Sequence, residues 1–264
     1  MKTITRKQRI LAAIAVPIAV IVTAAAGFTA PAHASTNPVP YPAALANHPY
    51  SEGWTGAQLA TDFQDNAAND PGNCSNPDTA GIYTSGDNVY LRSDGTDCLY
   101  LQSPHTYPTL DGYVYEEKIN VTSWTPWSAF WGYGNNWPTD GEIDALEASP
   151  TGQNNVSYHY AGPSYVSTSN NTITDPANAQ QLSEIAPGTH YVDFTFGRCG
   201  AGCGAVAVWY DGVNVALIKG SFVLDGGSND DPYWIVAAST GQPEFGSCGN
   251  PCGTMAVSYL RIFT

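Results

Sequence analysis

Three carboxylates stand close together in an apolar run, DGEIDALEAS, residues 140–149: Glu142, Asp144 and Glu147, set among Ile143, Ala145, Leu146 and Ala148. Acids are scarce here, with 23 Asp and Glu in 264 residues. Clustered carboxylates can divide acid and base work when their surroundings push their proton affinities apart, one staying ionised to attack and another keeping a proton to donate. Placement decides whether these three can do so. Side chains alternate faces along a strand, so Glu142 and Asp144 share a face, with Ile143 opposite. Plain alternation would turn Glu147 inward beside Ile143, where an unpaired carboxylate is costly. One extra residue, a β-bulge at Ala145–Leu146, resets the parity and brings Glu147 to the acidic face. Glu142 and Glu147 then lie about four strand positions apart, roughly 13 Å at Cα. Leaning together across a concave sheet, they approach the carboxyl separation of ~5–5.5 Å that retaining glycosidases use. The plainer alternative is the solvated polar face of an edge strand.

The elements that must position these acids read as strands. From Gly81 onward, short runs rich in Val, Ile, Tyr and Thr are separated by Gly, Asn, Asp and Pro. GIYTS, NVYLRS, DCLYLQS, GYVYEEKINV, WSAFWGY, GEIDALEAS, NVSYHYAG, HYVDFTFGR, AVAVWYDG, VNVALIKG, YWIVAAS and TMAVSYLRIF are the candidates, with a hairpin turn at Asp211-Gly212. Helical periodicity is nearly absent; PANAQQLSEIA, 176–186, is the one candidate, and residues 51–79 read as loops around a short segment. About a dozen strands in one domain give an all-β sandwich of two stacked antiparallel sheets.

The N-terminus reads as a leader. Lys2, Arg6, Lys7 and Arg9 precede a long apolar run, and Ala32-His33-Ala34 offers a cleavage site. That is a secretory signal peptide over residues 1–34, and it implies an extracellular protein. A membrane anchor is the alternative, kept open by the length of the run. Residues 35–50, with four prolines, read as an extended lead-in, and 51–264 as a single sandwich domain. Loss of four basic residues deepens the formal charge from −14 to −18. Such a surface repels nucleic acid and anionic lipid and suits a neutral partner. Sixteen Tyr and seven Trp exceed what a core alone needs; rings with a polar tip suit a groove that grips hydroxylated rings, although a Tyr-rich core accounts for many. The six cysteines read as disulfides in a secreted chain, with neighbours paired: Cys74–Cys98, Cys199–Cys203 and Cys248–Cys252. A four-thiolate zinc site is the alternative.

With these residues in view, SAFWGYGNNWPTDGEIDALEA resembles the active-site strand of glycoside hydrolase family 16, in its laminarinase-like form with a bulged E-x-D-x-x-E motif. DGYVYEEKINV, VSYHYAG, the HYVDFTFG and VAVWYDGVNVALI pair, DPYWIVAAS and MAVSYLRIF are similar, in order, to the family's other strands, so the resemblance spans about residues 80–264. It implies a β-jelly-roll sandwich of two antiparallel sheets, of the concanavalin A-like lectin and glucanase type. It also implies a catalytic set: Glu142 the nucleophile, Glu147 the general acid/base, Asp144 assisting Glu142. Trp131 and Trp137 would be sugar-stacking platforms, His159 would lie beside the acid, and Glu116 would be a cleft carboxylate. The plainer alternatives are a core residue for Trp131, a polar strand residue for His159 and a solvated strand residue for Glu116. The chain departs from the family in Lys118, where Arg is usual, in VAAST on the closing strand, and in the CGAGC and CGNPC loops.

The expected activity is that of a retaining endo-glycosidase on β-1,3 or mixed β-1,3/1,4 glucan, a monomer working on neutral polysaccharide. The alternatives are a lectin-like binding protein on the same sandwich, and a transglycosylase or galactan-directed member of the family. No cofactor and no catalytic metal is expected; calcium held by these acids would need convergent oxygens that one strand alone cannot supply, and a structural calcium elsewhere stays open.

Overall fold

The computed structural model describes residues 50, 52–65, 80–93, 98–108, 113–124, 127–136, 139–149, 154–159, 185–223, 232–240 and 253–263. Residues 1–35 and 36–264 form separate units, and every described residue belongs to the second. The leader, the lead-in up to residue 49, most of the 176–186 segment, Trp137, Cys74, Cys248 and Cys252 lie outside the described residues. Among the described residues no helix is long and apolar enough to cross a membrane.

Fifteen strands and one helix are described. In chain order they are β1 (Glu52–Thr55), α1 (Gly56–Asp62), β2 (Gln64–Asp65), β3 (Ile82–Ser85), β4 (Asn88–Ser93), β5 (Cys98–Gln102), β6 (Tyr107–Pro108) and β7 (Val114–Ser123). There follow β8 (Trp127–Gly134), β9 (Glu142–Ala148), β10 (Asn154–His159), β11 (Gly188–Gly200), β12 (Cys203–Tyr210), β13 (Val213–Gly220), β14 (Pro232–Thr240) and β15 (Gly253–Phe263). Each of the twelve strands read from the sequence is present. Three short strands, β1, β2 and β6, and helix α1 were not read. The helix does carry a start signal: Thr55 and Gln58 form a capping box, with Thr55 N donating to Gln58 Oε1 at 2.8 Å and Gln58 N to Thr55 Oγ1 at 3.3 Å.

The strands make two antiparallel sheets. One runs β13-β12-β11-β7-β15-β4-β3, with β1 pairing β15 beside β4; the other runs β10-β9-β8-β14-β5-β2, with β6 pairing β14. Strand β15 serves two partners along one edge: Gly253 to Val257 face β4, and Tyr259 to Ile262 face β1.

Period-two alternation decides which side chains fill the space between the sheets. Tyr115, Ile119, Phe194, Phe196, Val206 and Val208 come from the eight-stranded sheet, and Leu99, Leu101, Phe130, Ile143, Leu146 and Tyr158 from the seven-stranded one. Phe194 joins the two layers. Its ring stacks on Tyr115 at 4.9 Å between centroids and meets Phe130 of the facing sheet at 5.4 Å. Aromatic groups of this size dominate the energetics of such a core. Consecutive strands β7 and β8 therefore lie in different sheets, and that separation matters for the site.

Candidate active site

The acidic strand β9 lies between β8 and β10. Its apolar residues Ile143, Ala145, Leu146 and Ala148 all join the core, although plain alternation would divide them. The bulge is the reason. On β8, Phe130 pairs with Leu146 and the next residue, Trp131, pairs with Asp144, so Ala145 has no partner on that strand. The register against β10 also slips, between Asn155 opposite Glu147 and Ser157 opposite Asp144. The bulge falls where the spacing of acids and apolar residues requires it. Two adjacent residues, Ala145 and Leu146, turn inward, and Glu142, Asp144 and Glu147 share the outward face.

Strand β10 contributes two more side chains to that face. Ser157 Oγ lies 2.8 Å from Asp144 Oδ2 and 3.2 Å from Glu147 Oε2. His159 Nε2 lies 2.9 Å from the same Asp144 oxygen. Asp144 is almost fully buried, 1% exposed, and is held by both donors; Glu142 and Glu147 keep part of their surface open. Burial alone would lower the His159 imidazole, but the hydrogen bond to Asp144 and the charges of Asp144 and Glu147 raise it above its ordinary value overall. Ser157 was missed in the sequence; alternation across from Asp144 was the signal that could have found it.

The hairpin leading into β9 is fixed by backbone constraints. Asp140 Oδ2 accepts from Asn136 N at 2.8 Å, and Gly134 N donates to Gly141 O at 3.1 Å. A Cβ on Gly134 would stand 2.1 Å from that of Asp140, and Gly141 has φ +78°, so both positions need glycine. The turn delivers Glu142 one residue after Gly141.

Beside the acids, β8 and β5 supply an aromatic wall. Trp131 stacks on Tyr133 at 5.0 Å and meets Tyr100 edge-on at 5.5 Å; Tyr133 Oη donates to Gln102 Oε1 at 2.7 Å. Trp131 is opposite Asp144, on the expected face, but it is only 5% exposed. It is a packed member of the wall rather than an open platform. Tyr133, opposite Glu142 and partly exposed, presents the more accessible ring and was missed in the sequence.

Glu116 is not brought to this face. It sits on β7 in the other sheet, paired with Asp193 and Arg261. Its neighbour Tyr115 fills the core, so Glu116 points out of the far side of the sandwich. The expected cleft role fails because strand periodicity assigns a face but not a sheet.

Glu142, Asp144 and His159 each bring one oxygen or nitrogen within 4.8 Å of the others. A cation there would have to displace the His159–Asp144 contact. Cys199 and Cys203 form a disulfide with Cα atoms 5.2 Å apart, as expected. Cys98 is also disulfide-bonded, to a residue outside the described ones.

The family model described as "XgeA-like, catalytic GH16 domain" matches residues 61–207, more than half of the chain. The chain belongs to glycoside hydrolase family 16. A relative, the probable endo-1,3(4)-beta-glucanase of Aspergillus niger, is 29% identical over 147 residues, 48% of this chain and 20% of that protein. The chain therefore spans about a fifth of the length of that curated relative. Among solved structures, a variant of a non-specific endo-beta-1,3(4)-glucanase of family 16, crystallised with 1,3-beta-D-cellotriosyl-glucose, has a TM-score of 0.59 at 15% identity, covering 86% of this chain and 97% of that one. The laminarinase catalytic domain of Thermotoga maritima has a TM-score of 0.51 at 16% identity, covering 76% and 89%. LamA of Zobellia galactanivorans, also as its catalytic domain, has 0.54 at 15%, covering 71% and 81%. At these identities the likeness establishes the fold, and the jelly-roll sandwich of this family-16 chain is borne out.

Proposed function

We propose that this family-16 chain is a secreted, retaining endo-glycosidase that cleaves β-glucan of β-1,3 or mixed β-1,3/1,4 linkage by double displacement. The observation that carries the reading is the bulge at Ala145, which aligns Glu142, Asp144 and Glu147 on one outward face with Ser157 linking the last two. The relative's name, a probable endo-1,3(4)-beta-glucanase, supports the choice of substrate. The signal-peptide pattern of residues 1–34 supports secretion.

Hydrogen-bond direction favours Glu147 as the acid. A serine hydroxyl has one proton to give. If Glu147 is protonated it donates to Ser157 Oγ, Ser157 donates to Asp144, and His159 donates to the same Asp144 oxygen. Each hydrogen in that chain then has its own acceptor. If Glu147 loses its proton, two carboxylates compete for the one hydroxyl hydrogen. The network thus holds a proton on Glu147 until a better base arrives.

In the first step the Glu142 carboxylate attacks the anomeric carbon, the bond to the leaving oxygen breaks, and that oxygen takes the Glu147 proton. A glycosyl ester on Glu142 results. In the second step Glu147, now ionised, removes a proton from water, the water oxygen bonds to the anomeric carbon, and Glu142 is released. Two inversions give net retention. Asp144 contributes negative charge beside both steps, and Tyr133 offers a ring face to the sugar.

Two measurements test this. Mature protein incubated with a panel of soluble polysaccharides should shorten β-1,3 or mixed-linkage glucan to oligosaccharides; binding without cleavage would point to a lectin, and cleavage of galactan alone to a different substrate. In Glu142→Ala, azide should restore turnover of an activated β-glucoside and give the α-glycosyl azide. The β-azide would reverse the roles of Glu142 and Glu147.

A further inference from the structure

We infer that Tyr210, a residue of the opposite sheet, is a positioning residue for Glu147, its phenol holding the bulge that turns Glu147 onto the acidic face. The inference rests on the reading of Glu147 as the acid/base. A bulge leaves one residue out of the ladder, and that residue here is Ala145, without a partner on β8. Ala145 is fully buried, so water does not serve its carbonyl. Tyr210, inward-facing at the end of β12, spans the gap between the sheets and donates its hydroxyl to Ala145 O. That bond joins the opposite sheet to the backbone of the bulge. A phenylalanine would fill the same space and leave the carbonyl unmet.

The position of Tyr210 is fixed in turn. The next two residues, Asp211 at φ +51° and Gly212 at φ +78°, make the hairpin turn to β13. Asp211 is clamped to β11, accepting from Tyr191 N at 2.9 Å and lying 2.9 Å from His190 Nδ1. His190 Nε2 is 2.9 Å from Ala186 O. The turn thus sets where β12 ends, and hence how far Tyr210 reaches. Burial, followed by the nearby Glu147 charge, pushes the Tyr210 phenol well above its ordinary value, so it stays a donor wherever the acids work. The same closeness means that movement of the phenol is felt at Glu147.

Tyr210→Phe tests the inference. Turnover on glucan should fall ten- to a hundredfold with KM within twofold, and the alkaline limb of the pH profile should move to lower pH as Glu147 leaves the charge of Asp144. Val208→Ala, on the same inward face of β12, should lower Tm by a few degrees yet leave turnover and limb unchanged. Wild-type turnover and limb in Tyr210→Phe, or the same losses in Val208→Ala, would overturn the inference. If wild-type protein cleaves no glucan, the functional reading fails and the positioning is judged separately. In a crystal structure of Tyr210→Phe the 3.2 Å contact between Ser157 and Glu147 should open, and its retention counts against the inference. Should the variant not fold, the wild-type Tyr210 hydroxyl proton, followed by NMR, should exchange slowly and show contacts to Ala145; a freely exchanging proton would overturn it.

Discussion

Two outward faces of this sandwich carry clustered acids, and they are built in opposite ways. On the seven-stranded sheet, Glu142, Asp144 and Glu147 meet Ser157 and His159. On the eight-stranded sheet, Asp193, Glu116 and Arg261 stand in register across β11, β7 and β15. Both acids of the second group are buried. Burial, then the neighbouring Glu116 charge, pushes Asp193 up to about 8, so it holds a proton at neutral pH. Burial also raises Glu116, with Tyr259 and Arg261 pulling it part of the way back. Cations and rings close this group over. Arg261 lies 3.8 Å from the Tyr259 ring and 4.8 Å from that of Tyr50, and Lys118 lies 5.2 Å from the Tyr191 ring. The first group keeps Glu142 and Glu147 partly exposed, and the Ser157 hydroxyl lies between Glu147 and the buried Asp144. The second is buried, in register with Arg261 and covered by cations and rings. Clustered acids thus occur in two settings on this sandwich, and the proposed function draws on the one that keeps carboxylates partly exposed.

The comparison breaks most easily at its largest expected effect. Glu142→Gln and Glu116→Gln are the same chemical change on the two faces. The first should cut turnover by on the order of 10⁴-fold or more, as loss of a nucleophile does. The second should leave turnover within about twofold, the usual outcome for a group outside the reacting set. A folded Glu116→Gln protein with turnover reduced as far as Glu142→Gln would mean that the two faces act together.

Ser157→Ala sharpens the comparison at the relay. Without the hydroxyl, Glu147 loses its 3.2 Å contact to Ser157, and a hydrogen bond to the neutral form is what favours that form. Turnover should fall by roughly 10–100-fold, the lower part of the range for general acid–base assistance. The alkaline limb should shift to lower pH. Ser157→Thr, which restores a hydroxyl, should recover much of both. An unmoved pH profile in Ser157→Ala would reduce Ser157 to a packing residue.

Much of this was legible in the chain. Every strand carrying period-two alternation between turn residues was found, because burial of one face imposes that pattern locally. The bulge was legible for the same reason: four apolar residues and three acids on β9 admit only one arrangement that buries the former and not the latter. Glu116 was misplaced because alternation says nothing of which sheet a strand joins. Even so, YVYEEKINV held a warning, since adjacent Glu116 and Glu117 on one strand must face opposite ways. Ser157 and Tyr210 could not be assigned from their own segments. Their roles come from register across strands and from contact between sheets, which are tertiary facts. The helix α1 was missed for want of length, not of signal, since its capping box is in the sequence.

Glu117 tests what becomes of an acid with neither kind of help, and its effect should be the smallest of the three. It faces inward from β7, between Val192 and Leu260 in register, fully buried, with no hydrogen bond to either carboxyl oxygen. Burial pushes it well above the ordinary carboxylate range, so the folded protein holds that proton more tightly than the unfolded chain does. The unfolded chain releases that proton near the ordinary value. Between those two limits the folded state binds more protons, so stability falls as pH rises. Glu117→Met keeps a similar volume and removes two unmet oxygens, each a cost of about 1–3 kcal/mol. In a chain of this size ~1 kcal/mol moves Tm by about 2–4 °C, so a gain of several degrees is expected at pH 8. The gain should shrink at pH 5, where the unfolded chain gains less by releasing the Glu117 proton. Thermal melts of both proteins at the two pH values decide it. A variant that melts below the wild type, or gains equally at both, would mean that Glu117 has a partner in the fold and that only two kinds of acid setting, not three, exist in this sandwich.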